Sequence, residues 1–343
     1  MLKEKYRKRL VIAIPTYNRS YFLGLLLESI YFQLTNINLP VGVVVYDNNS
    51  TDDTSDVVDR FKNQGWQLEY IKNEDNIGAD RNIAKAFIDS NGDYVWIVGD
   101  DDILLPGSIE SIIKLIGKKN PALIFMRCVG FSGDYQVSKR RIASIKYLSL
   151  GKMEFLKRVN VYLTFISAIV INKRIFLENY HDDVVSELFG TNLVQLGWVL
   201  PSIELDAPLI YVSTTLVAGR NENRGGYDEF RVFVTNLNHI FSNFYCQNKN
   251  IASMVMNYII RQHYTYLLAS DRPDWGSFPK ENRREVLLNS CGKNFRFWIF
   301  LYPLLKLKGR SKVIYFILIR LTNYTLRLPL SLKMKILSKK LKI

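Results

Sequence analysis

Leu10-Val11-Ile12-Ala13-Ile14 leads directly into Pro15-Thr16-Tyr17-Asn18-Arg19, so that a short apolar strand is followed at once by a polar loop. Segments of helical period come after it, at Tyr21–Phe32 and from about Ala79 to Ser90. Between and beyond these segments lie four further β-rich runs, at Val41–Tyr46, Leu68–Ile71, Tyr94–Val98 and Leu123–Phe125. This alternation predicts an α/β fold, with a Rossmann-like, mostly parallel sheet flanked by helices.

The length and the later pattern predict two structural parts. With 343 residues, 48% of them apolar, the chain can form a sizeable core and a smaller appended unit. We predict a main domain over residues 1–240, with halves at 9–125 and 126–240, and a helical region over 241–343. Within the second half, residues 130–150 are predicted to form a loop, Phe165–Ile171 a strand, and residues 219–226 a mobile polar loop.

The three cysteines are Cys128, Cys246 and Cys291, and no two of them form a C-x-x-C pair. Neither a disulfide framework nor a zinc site is therefore indicated, and a reducing cytoplasm is expected. The apolar run that Pro15 ends is also too short for a secretory signal. Any metal in this protein is expected to have oxygen ligands.

The net charge of +14 is concentrated in a carboxyl-terminal segment, residues 291–343. This segment contains 13 Lys and Arg and no Asp or Glu, whereas residues 1–290 contain 33 basic and 32 acidic groups. Its basic residues alternate with bulky apolar ones, which suits the headgroup region of an anionic membrane. We therefore expect a peripheral position on the inner face of the cell membrane, and a nucleic-acid partner is disfavoured because no recognition motif accompanies the charge.

Polar residues follow the strands where α/β sheets bind ligands. Asp47, after the second strand, can accept hydrogen bonds from a nucleobase or a ribose, and Tyr17 offers a flat apolar surface. Asp100, Asp101 and Asp102, after the fourth strand, repel one another unless a cation neutralises them. A divalent ion, Mg²⁺ or Mn²⁺, would do so and would also bind a substrate diphosphate.

Four stretches resemble an inverting family 2 glycosyltransferase of the GT-A fold. They are Ala13-Ile14-Pro15-Thr16-Tyr17-Asn18-Arg19, Asp47-Asn48-Asn49-Ser50-Thr51-Asp52-Asp53-Thr54, Asn76-Ile77-Gly78-Ala79-Asp80-Arg81-Asn82 and Gly99-Asp100-Asp101-Asp102-Ile103-Leu104-Leu105-Pro106-Gly107. The resemblance implies that the acidic loop binds metal and that a nucleotide sugar contacts the other stretches. The implied contacts are Pro15, Thr16, Tyr17, Arg19, Asp47, Asn76, Arg81, Asp100 and Asp101.

One departure concerns the metal ligands, since the first aspartate of the family's D-x-D falls on Gly99 and the second on Asp101. Asp101 is thus the expected ligand, and Asp100 or Asp102 supplies the other. The G-D-D-D form is similar to that of the abequosyltransferase branch, whose members act on lipid-linked O-antigen units.

The catalytic base has no clear counterpart. Related enzymes carry a Glu-Asp pair at a helix start, where this chain has Thr191-Asn192. Glu187 and Asp183 are the nearest candidates, each also compatible with an ordinary surface or capping carboxylate. Arg220 and Arg224 are candidates for contact with a phosphate or the acceptor, although a solvated loop explains them equally well.

These observations together predict an enzyme that transfers a sugar, with inversion, from a nucleotide-diphosphate sugar to a lipid-linked glycan acceptor in O-antigen or capsule synthesis. A nucleotidyltransferase that makes an activated sugar is an alternative, but it should show a Gly-rich phosphate loop after the first strand. A non-catalytic protein that binds a membrane or a polyanion is the other alternative.

Overall fold

The computed structural model describes residues 8–35, 39–133, 135, 141–221, 227–244, 249–269 and 282–327. The chain divides into two compact units, Met1–Arg224 and Gly225–Ile343. Residues 225–240, which the sequence pattern assigned to the main domain, thus group with the carboxyl-terminal unit.

Nine strands of the described residues form one sheet in the first unit. They are Lys8–Thr16 (β1), Val41–Asp47 (β2), Glu69–Lys72 (β3), Gly92–Ile97 (β4), Ile103–Leu104 (β5), Leu123–Phe131 (β6), Tyr147–Leu150 (β7), Ile169–Asn172 (β8) and Leu209–Arg220 (β9). Their order is β3-β2-β1-β4-β8-β6-β9-β5, with β7 paired to β9. The predicted parallel arrangement is confirmed for β3, β2, β1 and β4, while β8 runs antiparallel to β4 and β6.

The register brings the carboxyl ends of three strands to one edge. Thr16 of β1 pairs with Asp47 of β2, and the Val98 amide, just after β4, donates to the Ala13 carbonyl at 3.0 Å. β2 and β4 lie on opposite sides of β1, so the carboxyl ends of β1 and β4 border the crevice in which open α/β sheets bind ligands. The polar residues after these strands therefore meet at one place.

In the part of this unit that the structure describes, seven α-helices accompany the sheet: Ser20–Leu34 (α1), Thr54–Asn63 (α2), Ala79–Ile88 (α3), Ser108–Lys119 (α4), Lys152–Val159 (α5), Lys173–Asn179 (α6) and Leu196–Glu204 (α7). Helix α1 packs one side against the core, with Leu23, Leu26 and Ile30 fully buried. Helix α4 begins two residues after Pro106, because Gly107 takes a left-handed φ of 88°.

The largest buried side chains join the sheet to its helices. Trp96 of β4 is fully buried, and its indole N–H donates to the Ser167 carbonyl at 2.9 Å. Phe87 of α3 stacks on Trp198 of α7 with ring centroids 4.3 Å apart. These contacts fix α3 and α7, and with them the loops that precede both helices.

The sequence pattern was wrong in three places in the second half of this unit. Strand β7 lies within the predicted loop at 130–150, and β9 extends to Arg220, inside the predicted polar loop. Only the end of the strand predicted at Phe165–Ile171 is β-structure, because residues 160–164 and 166–168 form short 3-10 helices. Strand β9 explains the first two errors, since both β6 and β7 pair with it.

The second unit is helical over its described residues. Its helices are Leu237–Phe244 (α8), Lys249–Ile259 (α9), Thr265–Ala269 (α10), Arg283–Cys291 (α11), Tyr302–Lys306 (α12) and Gly309–Arg327 (α13), with π-helical segments at 231–236, 260–264 and 297–301. No helix among the described residues is both long enough and apolar enough to cross a membrane. Residues 225–343 contain 20 Lys and Arg against 6 Asp and Glu, whereas residues 1–224 contain 26 of each, so the net charge of +14 belongs entirely to this unit.

Candidate functional site

The acidic run lies buried at the crevice between the ends of β1 and β4. Asp100, Asp101 and Asp102 are exposed by only 5%, 8% and 4%. The Thr16 hydroxyl at the end of β1 donates to Asp100 Oδ2 at 2.8 Å. Three adjacent carboxylates shielded from water require compensating positive charge.

Arg19 supplies a positive charge from within the chain. Its Nη1 lies 3.1 Å from Asp100 Oδ1 and 3.2 Å from Asp101 Oδ2. Burial opposes the charged guanidinium, but attraction to Asp100 and Asp101 prevails and raises the pKa of Arg19. The structure therefore brings Arg19 to the acidic run, a pairing that the sequence alone did not predict.

The three aspartates differ in what their oxygens face. Both oxygens of Asp100 are engaged, by Thr16 and by Arg19. Asp102 Oδ1 accepts the Arg220 backbone N–H at 3.1 Å. Burial, assisted by the charge of Asp101, raises the pKa of Asp102 to about 7. Burial also raises the pKa of Asp100 to about 6, although Arg19 opposes this rise.

Gly99 leaves a space that two of these carboxylates border. A Cβ placed on Gly99 would lie 3.2 Å from Asp102 Oδ2 and 3.4 Å from Asp101 Oδ1. This donor set consists of oxygen and suits Mg²⁺ or Mn²⁺. No group of three or more His, Cys, Asp or Glu suited to a metal occurs in the described part of the chain. An ion at Gly99 would thus need further ligands from substrate and water, as Mg²⁺ commonly has.

Asp47 is held rigidly at the end of β2. It is fully buried, with Oδ1 accepting the Ser50 N–H at 2.9 Å and Oδ2 accepting the Tyr70 hydroxyl at 2.6 Å. Burial and the bond to Asp47 raise the pKa of Tyr70. Sequence reasoning missed Tyr70, because its place on β3 beside Asp47 depends on strand register. The predicted nucleoside contact at Asp47 is thus limited to the lone pairs that these two donors leave.

The loops after β1 and β2 are joined by short polar side chains. The Asn18 N–H donates to Ser50 Oγ, and the Thr51 N–H donates to Asn18 Oδ1, at 2.9 and 2.8 Å. Asn18 and Asn49 take left-handed φ values of 52° and 66°, which asparagine tolerates better than most residues. Tyr17 projects from this frame and is 43% exposed. The predicted aromatic surface is therefore accessible, on a loop whose backbone is fixed.

Asn76 belongs to an amide network rather than standing alone. The Asn48 amide donates to Asn76 Oδ1 at 2.7 Å, and the Asn73 amide donates to Asn48 Oδ1 at 3.1 Å. This network connects the loop after β2 to the loop that leads into α3. Arg81, the third residue of α3, is exposed and lies 5.4 Å from the ring of Phe189. Asn76 lies in the loop beyond the carboxyl end of β3, and Arg81 lies in the first turn of the helix that this loop leads into.

The candidate bases lie on a 3-10 segment over Asp182–Leu188. Glu187 is exposed, whereas the side chain of Asp183 lies outside the described residues. The loop that follows is held by a carboxylate that sequence reasoning missed, since buried Asp80 of α3 accepts the Asn192 N–H at 2.9 Å. Burial raises the pKa of Asp80, although backbone donors from residues 190–194 oppose the rise.

Arg220 ends β9 beside the acidic run. Its guanidinium carbon lies 4.6 Å from the ring of Phe22 and 4.7 Å from that of Phe131, and Nη1 donates to the Gly133 carbonyl at 2.9 Å. Two aromatic faces thus restrain its position. Arg224, the other predicted phosphate contact, lies outside the described residues.

Comparisons with known proteins agree with this geometry. Residues 11–180 match the family model described as Glycosyl transferase family 2. Abequosyltransferase RfbV of Salmonella typhimurium is 41% identical over 97 residues, covering 28% of this chain and 29% of the relative. The GalNAc(5)-diNAcBac-PP-undecaprenol beta-1,3-glucosyltransferase of Campylobacter jejuni is 25% identical over 154 residues, covering 40% and 48%. The matches thus span less than half the length of either relative.

Among solved structures, S. aureus TarS 1-349 in complex with UDP-GlcNAc superposes with a TM-score of 0.58 at 15% identity, over 86% of this chain and 82% of that one. At this identity the likeness shows the fold alone. It confirms the prediction of a GT-A architecture.

Proposed function

Since this chain, through residues 11–180, belongs to glycosyl transferase family 2, we propose that it transfers a sugar from a nucleotide-diphosphate sugar to a glycan acceptor. The observation that carries this proposal is the meeting of the acidic run, Arg19 and the loops after β1 and β2 at one crevice. A pair of carboxylates beside a guanidinium is suited to a diphosphate with its cation.

Donor binding is divided among three loops in this proposal. Tyr17 stacks against the nucleoside, while Asp47 and Asn76 orient the loops around it through the contacts described above. Arg19 is near enough to the acidic run to reach a diphosphate there, and Arg81 extends toward solvent from the start of α3. Guanidinium groups suit phosphate oxygens because they offer paired N–H donors.

The divalent ion is proposed to use Asp101 and Asp102. Asp101 Oδ1 and Asp102 Oδ2 border the position at Gly99, whereas the oxygens of Asp100 face Thr16 and Arg19. When bound, Mg²⁺ or Mn²⁺ would neutralise the charge of the departing nucleoside diphosphate. Asp100 holds Thr16 and Arg19 in position beside this pair.

Inversion requires a carboxylate that accepts the proton of the attacking hydroxyl on the face opposite the leaving group. Glu187 and Asp183 remain the proposed candidates for this role. Asp80, by binding the Asn192 N–H, holds the loop that follows them. In E187Q, loss of transfer with unchanged donor binding would support Glu187, and full activity would reject it.

The acceptor is proposed to be lipid-linked, on the cytoplasmic face of the membrane, in synthesis of a surface polysaccharide such as O-antigen or capsule. An exposed apolar face on α13 supports the membrane part of this proposal. Its side chains are between 50% and 59% exposed and recur at helical spacing, at Val313, Ile314, Ile317, Leu318 and Leu321. Ile319, at 4% exposure, marks the opposite, packed face. The absence of Asp and Glu after residue 290 favours an anionic surface.

The test of donor use is incubation with a panel of nucleotide sugars, with and without Mn²⁺, and detection of free nucleoside diphosphate after acceptor is added. Asp101→Asn should abolish metal-dependent transfer, while Asp89→Asn, an exposed residue of the same unit, should leave it intact. Wild-type activity in D101N would remove the proposed metal role. Release of pyrophosphate from a sugar phosphate and a nucleoside triphosphate would instead identify a nucleotidyltransferase.

The test of membrane binding is flotation with vesicles that contain phosphatidylglycerol. About half of each side chain is accessible, so the double variant Ile317→Gln/Leu318→Gln should lose about 2 kcal/mol of membrane-binding free energy. This corresponds to roughly a 30-fold loss of affinity for the vesicles. Phe32→Gln, at a residue of the first unit that is 66% exposed, should change nothing. Equal vesicle binding by the wild type, the double variant and Phe32→Gln would reject the α13 face as the membrane-binding surface.

A further inference from the structure

The first turn of helix α3 is bonded to two separate parts of the first unit, of which the donor side is one. Asn82 is buried there, and its side-chain amide donates to the Tyr46 carbonyl at 2.9 Å, one residue before Asp47 at the end of β2. Asn82 Oδ1 also accepts the Asn73 amide N–H at 3.0 Å. These bonds fix the start of α3 against the strand end and the loop to which the proposed function assigns the donor.

Asp80, two residues earlier in the same turn, is bonded to the loop that leads into α7. The residue is only 7% exposed, and Oδ2 accepts the Asn192 N–H at 2.9 Å. Burial raises the pKa of this carboxyl, and the backbone N–H groups of Gly190, Thr191 and Val194 act against that rise because they too face it. An ionised carboxylate binds such donors more strongly than a neutral acceptor would. Asp80 therefore links α3 to a loop that lies 112 positions further along the chain.

The loop that leads into α7 depends on such support because of its backbone. Gly190 and Asn192 take left-handed φ values of 83° and 56°, and a residue other than glycine keeps such a conformation only where surrounding groups hold it. The end of the loop has an anchor of its own, since the Gln195 amide donates to the Thr164 carbonyl at 2.7 Å. Removal of the Asp80 carboxylate should therefore release the middle of the loop and leave its end attached.

We propose that Asp80 is a positioning residue for sugar transfer, which fixes the loop that leads into α7 relative to the donor loops. This inference rests on the proposed function. The loop directly follows the 3-10 segment that contains both candidate bases, Glu187 and Asp183, so a shift of the loop would move the proton acceptor relative to the donor. Transfer tolerates such a shift poorly, because the reacting groups must be aligned when the new bond forms. Donor binding depends on the Asn82 side of the same turn and should change little.

The kinetic experiment compares full-length wild type with Asp80→Ala, Asp80→Asn and Asp89→Ala, after melting curves establish that each is folded. The donor probes are UDP-glucose, UDP-GlcNAc and GDP-mannose, and a lipid extract of the source organism's membranes supplies the acceptor. In Asp80→Ala the apparent kcat should fall by about 100-fold, whereas the KM for the donor should change by less than about threefold. Asp80→Asn keeps one acceptor oxygen and should retain more activity than Asp80→Ala. Asp89→Ala, at the exposed other end of α3, should leave both constants unchanged.

Hydrogen exchange of the protein alone tests the same role without donor or acceptor. The amides of residues 190–194 should exchange at least about tenfold faster in Asp80→Ala than in the wild type, and those of β1 should not change. Unchanged exchange at residues 190–194 would overturn the proposal.

The kinetic outcomes separate positioning from a merely structural role. Wild-type kcat in D80A would overturn the proposal, and so would a loss of donor binding as large as the loss of kcat. If the wild type transfers sugar from none of the probes, the proposed function fails by itself, and the exchange data then support or overturn the positioning of the loop without it.

Discussion

The hydroxyl of Tyr70 is predicted to stabilise the first unit by more than a hydroxyl that bonds a neutral group would. It donates at 2.6 Å to Asp47 Oδ2, and Asp47 is fully buried. In Tyr70→Phe the carboxylate keeps only the Ser50 N–H as a described donor. A hydrogen bond to a charged group contributes about 1.5–3 kcal/mol. Because the acceptor is buried, we expect a loss of about 2 kcal/mol in the free energy of unfolding.

Tyr46→Phe is the matched control. Tyr46 lies on the neighbouring strand and is also buried, but its hydroxyl is 3.4 Å from Ser90 Oγ and joins two neutral groups. Ser90 keeps its own bond to the Ala86 carbonyl, so the substitution leaves no new unpaired donor. We expect a loss of about 0.5 kcal/mol or less.

Urea unfolding followed by tryptophan fluorescence measures both values. With an unchanged slope against urea, the Y70F midpoint should fall clearly below that of Y46F. Equal midpoints would refute the reasoning, because they would mean that the hydrogen bond from Tyr70 to Asp47 contributes no more to stability than the contact between Tyr46 and Ser90. A second result should accompany a loss of stability in Y70F: weaker donor binding, since Asp47 also fixes the Ser50 loop.

Three further outcomes are expected. Arg19→Gln should raise the affinity of the ligand-free protein for Mn²⁺ several-fold, because the guanidinium that competes with the ion for the carboxylates is removed. The electron paramagnetic resonance signal of free Mn²⁺ measures this affinity, and unchanged or weaker binding would contradict the prediction. Trp198→Ala should lower the free energy of unfolding by about 3–5 kcal/mol, since the ring is buried and stacked on Phe87, whereas exposed Trp298→Ala should cost far less. Burial raises the pKa of Cys291 to about 12, so the fraction of Cys291 present as thiolate at pH 8 is about 10⁻⁴. Peptide mapping of native protein treated with iodoacetamide should therefore find Cys291 unmodified. Alkylation within minutes would show that the thiol is accessible.

Much of the nucleotide half of the fold could be predicted from the sequence because its signals are local. The strand ending at Thr16 and the helix beginning at Ala79 each have a hydrophobic pattern of their own, and Pro15 and Gly78 mark where these patterns end or begin. Strand β9 was missed because Ser213, Thr214 and Thr215 interrupt its apolar pattern, and it becomes a strand by pairing with β6 and β7. The tertiary partner, which is distant in sequence, decides that structure.

The site shows the same division. Asp101 and Asp47 could be proposed as site residues because they follow strands, but the side chains that contact them could not be predicted. Tyr70 reaches Asp47 through strand register, and Asp80 binds the Asn192 N–H across 112 positions of the chain. The electrostatic argument for a neutralising metal ion overlooked Arg19, whose contact with Asp100 and Asp101 depends on where the loops after β1 and β4 meet.

Arg19 also bears on how the protein behaves when metal is scarce. Because the Arg19 guanidinium already pairs with Asp100 and Asp101, chelation of the proposed ion does not leave these two carboxylates without a positive partner. The fold should therefore survive treatment with EDTA, with an unfolding midpoint close to that of untreated protein. If the proposed ion binds, an enzyme built in this way can lose and regain it as supply varies, without unfolding each time.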